Sequence, residues 1–231
     1  MLILALRVLL CYLLVTVQAN TEKVIFLGPS SITIPNISPG LEQLQLDTLS
    51  PSRNKLATQL PVKFPTDEEP RGTQHWYLIE GLEEGRRYEV RVCWVATQPT
   101  AFWLDVHTIS EVFETPELIS ALATYSEQRD RSIPRTPEPR RTDVAATSES
   151  LLFLRIHSAA DFFTTNQTLM NSPPDVDVDI ILDPLLLNVL PRSLGPTAVY
   201  LVALAIVGWF LSGTISRWLW KINEPEKEHS S

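Results

Sequence analysis

Twenty consecutive residues, Pro196–Ile215 (PTAVYLVALAIVGWFLSGTI), carry no charge. As a helix rising ~1.5 Å per residue they reach across ~30 Å, the hydrocarbon thickness of a bilayer. A helix on the edge of a soluble core needs a polar face, and this segment has none. The sequence therefore predicts a transmembrane helix over 196–216, and the rest of the chain must fold beside the bilayer. Arg217 and Lys221 follow the segment with Trp218 and Trp220 among them, while Arg192 stands alone before it. Basic residues favour the cytosolic flank and aromatic residues the interface. The expected orientation puts the body in the lumen and a tail, 217–231, in the cytosol. A GPI-attachment signal also ends in an apolar tract, but it normally finishes there. This chain closes with WKINEPEKEHSS, which favours a retained anchor.

The other apolar end, residues 1–19 (MLILALRVLLCYLLVTVQA), has Arg7 ahead of the run Val8–Val15, then Val17 and Ala19. This is the layout of a secretory signal peptide cleaved after Ala19, with an uncleaved anchor as the alternative. Either reading sends the chain into the secretory pathway. At 44% hydrophobic the sequence is too apolar for a disordered tail. A net charge of −8 makes it too acidic for a nucleic-acid binder that neutralises phosphates. Sequons at Asn36-Ile37-Ser38 and Asn166-Gln167-Thr168 both fall in the lumenal part. Removal of Cys11 with the leader leaves Cys93 without an intramolecular disulfide partner. The tail has no KDEL-type ending and no dilysine signal, so residence in the endoplasmic reticulum would come from a partner.

The body reads as a lumenal β-rich domain over 20–172, followed by a membrane-proximal stalk over 173–195. The chain's 18 prolines keep long helices few. Lys23–Ile34 and Trp76-Tyr77-Leu78-Ile79 suggest strands. From Tyr88 the alternation is strict: Tyr88, Val90, Val92 and Trp94 take one face, and Glu89, Arg91 and Cys93 the other. A further strand carries Phe102, Leu104 and Val106 opposite Trp103, Asp105 and His107, and Leu151–Ser158 returns as another. The run GLEEGRRYEVRV resembles the E–F corner of immunoglobulin- and fibronectin-like sandwiches, in which a tyrosine, here Tyr88, bonds back to upstream backbone. A plain hairpin with a glycine turn is the alternative. The predicted fold is thus mainly β, an immunoglobulin/fibronectin-like sandwich with one short helix, plus the C-terminal span. The short helix starts at Thr115-Pro116-Glu117, with Leu118, Leu122 and Tyr125 on its apolar face. Its pattern fails at Ser126, and 127–149 reads as a flexible basic loop holding Arg129, Arg131, Arg135, Arg140 and Arg141. Ile180–Leu194, broken by Pro184 and Pro191, is expected to lie against the membrane surface or a partner.

Candidate chemistry is sparse. Asp175, Asp177, Asp179 and Asp183 alternate in DVDVDIILD, a spacing that could hold a divalent cation or a nucleotide-sugar metal. The calcium-loop template fails, however, and no strand–helix alternation announces a large α/β domain. A solvated strand edge is the simpler reading. His75, His107, His157 and His229 are scattered, with no carboxylate or second histidine expected at ligand spacing. No H-E-x-x-H, G-x-S-x-G or P-loop is present. No catalytic residues, metal site or cofactor are predicted. In the apolar helix Ala205, Gly208, Ser212 and Ser216 recur at three- and four-residue steps, a small-residue face suited to packing against another helix.

Three phrases, NTEKVIFLGP, GRRYEVRVCWVATQPT and LDPLLLNVLPRSL, stand in that order between the leader and the anchor. In them the chain resembles a fungal endoplasmic-reticulum family, the co-activator subunits of GPI mannosyltransferase II. The resemblance implies a glycosylated, single-span, non-catalytic partner of a polytopic membrane mannosyltransferase catalytic subunit, which adds the second mannose to the GPI precursor. The family has no active-site motif to transfer. A different class is a lumenal glycan- or cargo-binding membrane protein using Trp76, Trp103 or Tyr77 to stack on sugar. A metal-dependent enzyme built on Asp175 and Asp177 comes third.

Overall fold

A computed structural model of the chain describes residues 20–31, 44–132 and 150–222. The leader, the Asn36 sequon, Arg135, Arg140, Arg141, His229 and residues 223–231 lie outside the described residues.

Two sheets share one core. The first has the order β1 (Thr21–Leu27), β5 (Arg87–Trp94), β8 (Val176–Leu186), β3 (Lys55–Leu60), and a two-residue strand β9 (Leu190–Pro191) pairs with the end of β8. The second has the order β2 (Asp47–Leu49), β4 (Thr73–Ile79), β7 (Leu152–Ala160), β6 (Thr100–Thr108). Tyr88, Val90, Val92, Ile180 and Leu182 from the first sheet meet Tyr77, Ile79, Leu152, Leu154 and Ile156 from the second. The chain is therefore mainly β with a long apolar C-terminal helix. β2 pairs parallel to β4, unlike the antiparallel sheets of an immunoglobulin domain. What the structure carries of that expectation is the two-sheet layout.

The apolar runs WYLI and LLFL are buried on both faces. Tyr77 and Ile79 point into the shared core, whereas Trp76, Leu78, Leu151 and Phe153 form a second core on the outer side. Two helices cover it, α1 (Ile109–Glu114) and α2 (Pro116–Ser132), through Ile109, Val112, Leu118 and Leu122. The Glu111 amide donates to Thr108 Oγ1 at 3.2 Å and starts α1. α2 begins at Pro116 as expected but runs past Ser126, where the apolar pattern stops. Tertiary contacts hold that extra length: Ser126 Oγ donates to the Leu44 carbonyl at 3.2 Å, and Arg129 pairs with Asp47. With the five-residue α3 (Gln167–Asn171), the single short helix expected becomes three among the described residues of the body.

One alternative and one expectation fall. β4 and β5 do not form the plain hairpin given as the alternative, because residues 80–86 cross from the second sheet to the first. At that corner the Glu83 amide donates to the buried Tyr88 hydroxyl at 2.9 Å. A Cβ on Gly28 would stand 2.2 Å from the Glu83 carbonyl oxygen, so the close approach of β1 requires glycine. The stalk expected from 173 is instead β8, an interior strand flanked by β5 and β3, and its Ile180 and Leu182 are fully buried. The body thus continues to the start of α4 (Gly195–Ile222), which itself extends beyond 216.

Candidate functional site

The chemistry of this molecule concentrates where the sandwich joins the apolar helix. On the outer face of the first sheet, strand register places Glu89 opposite Asp183. Their side chains are only 4% exposed. Two buried carboxylates in register repel each other unless a cation stands between them. Arg91, 19% exposed, supplies it: Nη1 lies 3.3 Å from Glu89 Oε1 and 3.6 Å from Asp183 Oδ2. Lys23 Nζ adds a contact of 3.2 Å to Glu89 Oε2. Two cations balance two anions.

This cluster grips the chain just before the helix. The Ser193 amide donates to Asp183 Oδ2 at 3.2 Å, and Arg91 Nη2 donates to Ser193 Oγ at 3.2 Å. Nearer the end of the sheet, the Arg87 amide donates to Asn188 Oδ1 at 3.2 Å. Arg192–Leu194 form one 3₁₀ turn, and α4 starts at Gly195. A single residue, Leu194, therefore separates the clamped serine from the helix, which leaves little freedom between sheet and helix. The alternation from Tyr88 placed Glu89 and Arg91 on the polar face correctly. Their burial, and the roles of Asp183, Asn188 and Ser193, were not foreseen, because the covering segment is about a hundred residues away in sequence.

A candidate membrane span runs over Arg192–Trp220, long and apolar enough to cross a bilayer, with none of it buried against the rest of the molecule. Ala205, Gly208, Ser212 and Ser216 lie along it at the expected steps, exposed, and a Cβ at Gly208 would meet nothing within 4 Å. Thr214 Oγ1 donates to the Phe210 carbonyl at 2.9 Å and Arg217 Nε to the Gly213 carbonyl at 3.1 Å. Both donors are thus satisfied within the helix.

The other candidates resolve into structural roles. Asp177 accepts from Gln59 Nε2 at 2.8 Å and Asp179 pairs with Lys55 at 2.8 Å, while Asp183 belongs to the clamp. These carboxylates tie an interior strand to its neighbours; they do not line a free edge. Among the described residues no three His, Cys, Asp or Glu side chains gather as a metal site. His75 is buried, with Nε2 3.1 Å from the Pro61 carbonyl oxygen and 3.0 Å from Ser158 Oγ. Burial holds its pKa down to about 4, against the opposing hydrogen bond to Pro61. His157 is also lowered to about 4, by burial first and then by Arg155, with Asp105 opposing. His107 does have a carboxylate neighbour, contrary to expectation: Nδ1 lies 2.7 Å from Glu111 Oε1, across the start of α1. Cys93 is a half-buried free thiol, and Thr21 Oγ1 donates to its sulfur at 3.6 Å.

Of the aromatic residues suggested for sugar stacking, Trp76 and Tyr77 are buried and cannot meet a ligand. Trp103 is partly exposed, with the Arg71 guanidinium 5.8 Å from its ring centre. Asn166 is exposed at the start of α3, and its Oδ1 accepts the Thr168 amide at 3.0 Å. It stands at the end of the sandwich where β8 begins, opposite the end where the chain turns toward the helix.

The family model described as GPI-mannosyltransferase II co-activator matches residues 10–213. No curated protein and no solved structure gave a match.

Proposed function

This chain belongs to the GPI-mannosyltransferase II co-activator family, and from that membership we propose that it is a non-catalytic subunit holding a polytopic mannosyltransferase in its working form. A co-activator of a GPI mannosyltransferase has that enzyme as its partner, and GPI-anchor assembly is associated with the endoplasmic reticulum. In this reading α4 crosses that membrane once, the sandwich stands in the lumen, and 217–231 is cytosolic. The leader 1–19 is removed, and Asn36 and Asn166 carry glycans. The reaction served is addition of the second mannose to the GPI precursor.

The observation that carries the proposal is an apolar helix with its whole length unburied, joined to a folded body by a clamp of buried charges. Such a helix is free to pack laterally. Its small-residue face, Ala205, Gly208, Ser212 and Ser216, lets a neighbouring helix approach closely and accept a serine hydrogen bond. The sandwich then sits at a set angle over the partner's lumenal surface.

The test is a deletion strain complemented with tagged variants. Loss of the chain should accumulate GPI precursors with one mannose, and the wild-type chain should recover the transferase from mild detergent. Gly208→Ile with Ser212→Ile should lose that co-purification while the protein still accumulates. Normal GPI assembly in the deletion strain would overturn the proposal.

A further inference from the structure

The turn joining β8 to β9 aims its apolar side chains away from the fold. Leu187 is 97% exposed and Val189 80%. Leu187 and Asn188 both occupy the left-handed region, with φ of 51° and 59°. Asparagine tolerates that conformation, but a leucine is strained there, and glycine or a polar residue is the usual choice in such a turn. Local stability alone would place another residue at 187. The turn is nonetheless well held: the Val189 amide donates to the Leu186 carbonyl at 3.1 Å, and Arg87 binds Asn188 through its amide and its side chain.

The path of the chain shows where this turn points. Ser193 is bonded to Asp183, whereas Gly195, two residues on, faces the Leu186 side chain. From Ser193 to Gly195 the chain therefore advances the way β8 does from Asp183 to Leu186, toward the turn. The apolar turn and the first residues of α4 leave the sandwich at the same end. Arg87 and Arg192 are exposed beside them, suited to lipid phosphates.

We propose that the Leu187–Val189 turn is a second membrane contact, seated in the lumenal leaflet beside the point where α4 enters and fixing the tilt of the sandwich on the bilayer. This rests on the reading of α4 as a span. The occupant is lipid because two side chains on a narrow tip fall well short of the ~800 Å² per partner of a specific protein interface. They suffice for a shallow anchor next to an existing span.

The test uses the full chain with Cys11→Ser and Cys93→Ser, reconstituted in phosphatidylcholine vesicles containing acyl-brominated lipid. Single labels carrying a polarity-sensitive fluorophore are placed by Leu187→Cys, by Leu204→Cys in the helix, and by Thr66→Cys at the far end of the sandwich. The labels at 187 and 204 should be quenched several-fold more than the label at 66. Quenching at 204 with a 187 label that behaves like 66 overturns the proposal and leaves the span standing. No quenching at 204 removes the span reading and the proposal with it. A 187 label shielded only after the mannosyltransferase is added overturns the lipid contact and gives the turn to that partner. Leu187→Gly in the same chain should melt no lower than the parent. A fall of several degrees would show that the leucine serves the fold and would also overturn the proposal.

Discussion

The two sheets cover their outer faces by opposite means. The second sheet buries Trp76, Leu78 and Phe153 under α1 and α2, an apolar cover that needs no exact partner geometry. The first sheet buries Glu89 and Asp183 under the segment leading to α4, a polar cover in which Arg91, Lys23 and Ser193 each have a set place. Apolar cover supplies stability in proportion to area. Buried charge is a poor source of net stability, but it is severe when broken, so it favours one geometry over all others. The molecule uses the second kind at the joint with its apolar helix.

The comparison breaks most easily at its apolar side. Trp76→Ala should cost ~3–5 kcal/mol in denaturant titrations of the full chain in detergent, and no second substitution on the first sheet should restore it. Arg91→Leu should cost ~3 kcal/mol by leaving the buried Asp183 without a cation and Glu89 with Lys23 alone. Unlike the tryptophan change, it should be partly rescued by adding Asp183→Asn; absence of rescue would show that Arg91 acts through packing.

Acid sharpens the contrast next, because the buried His75 and the half-buried His157 sit on the second sheet. His75 is held down to about 4 by burial, as is His157 by burial and Arg155. An unfolded chain takes up these protons near 6.5, so between 6.5 and 4 it binds more protons than the folded chain. Stability should therefore be complete above pH 6.5 and fall as pH drops toward 4, with a slope from His75 of at most ~1.4 kcal/mol per pH unit. His75→Gln should flatten that slope in melts at pH 7 and pH 5; an unchanged slope would acquit the histidine. Smaller again, Tyr88→Phe should cost ~1 kcal/mol by leaving the Glu83 amide without its acceptor. Ser193→Ala should cost ~0.5–1.5 kcal/mol in the melt while loosening the helix joint, read as greater mobility of a spin label at Leu194→Cys.

Much of this was legible because it is local. The charge-free run at 196–215, the strict alternation from Tyr88 and the Thr-Pro-Glu helix start at 115 each state a length or a period, and each became α4, β5 and α2. In the sequence β8 reads as a stalk because Pro173-Pro174 opens it, and Pro184 interrupts its apolar run further on. The structure explains how Pro184 is tolerated: β3 pairs no further than Ile181 and β9 pairs with β8 only from Leu185, so the proline falls where that edge of β8 has no partner for an amide. The unbroken apolar runs WYLI and LLFL did hold a signal for helix cover, since a strand apolar on both faces must be packed on both.

Composition and periodicity alone thus determined that this chain has a mainly β body and an apolar C-terminal helix of membrane-spanning length, because these depend on neighbours within a few residues. Which sheet each strand joins, what lies over Glu89, and how the body is fastened to the helix were decided only in three dimensions. A strand's pattern says that a face is covered, while the covering residues lie as much as a hundred positions away.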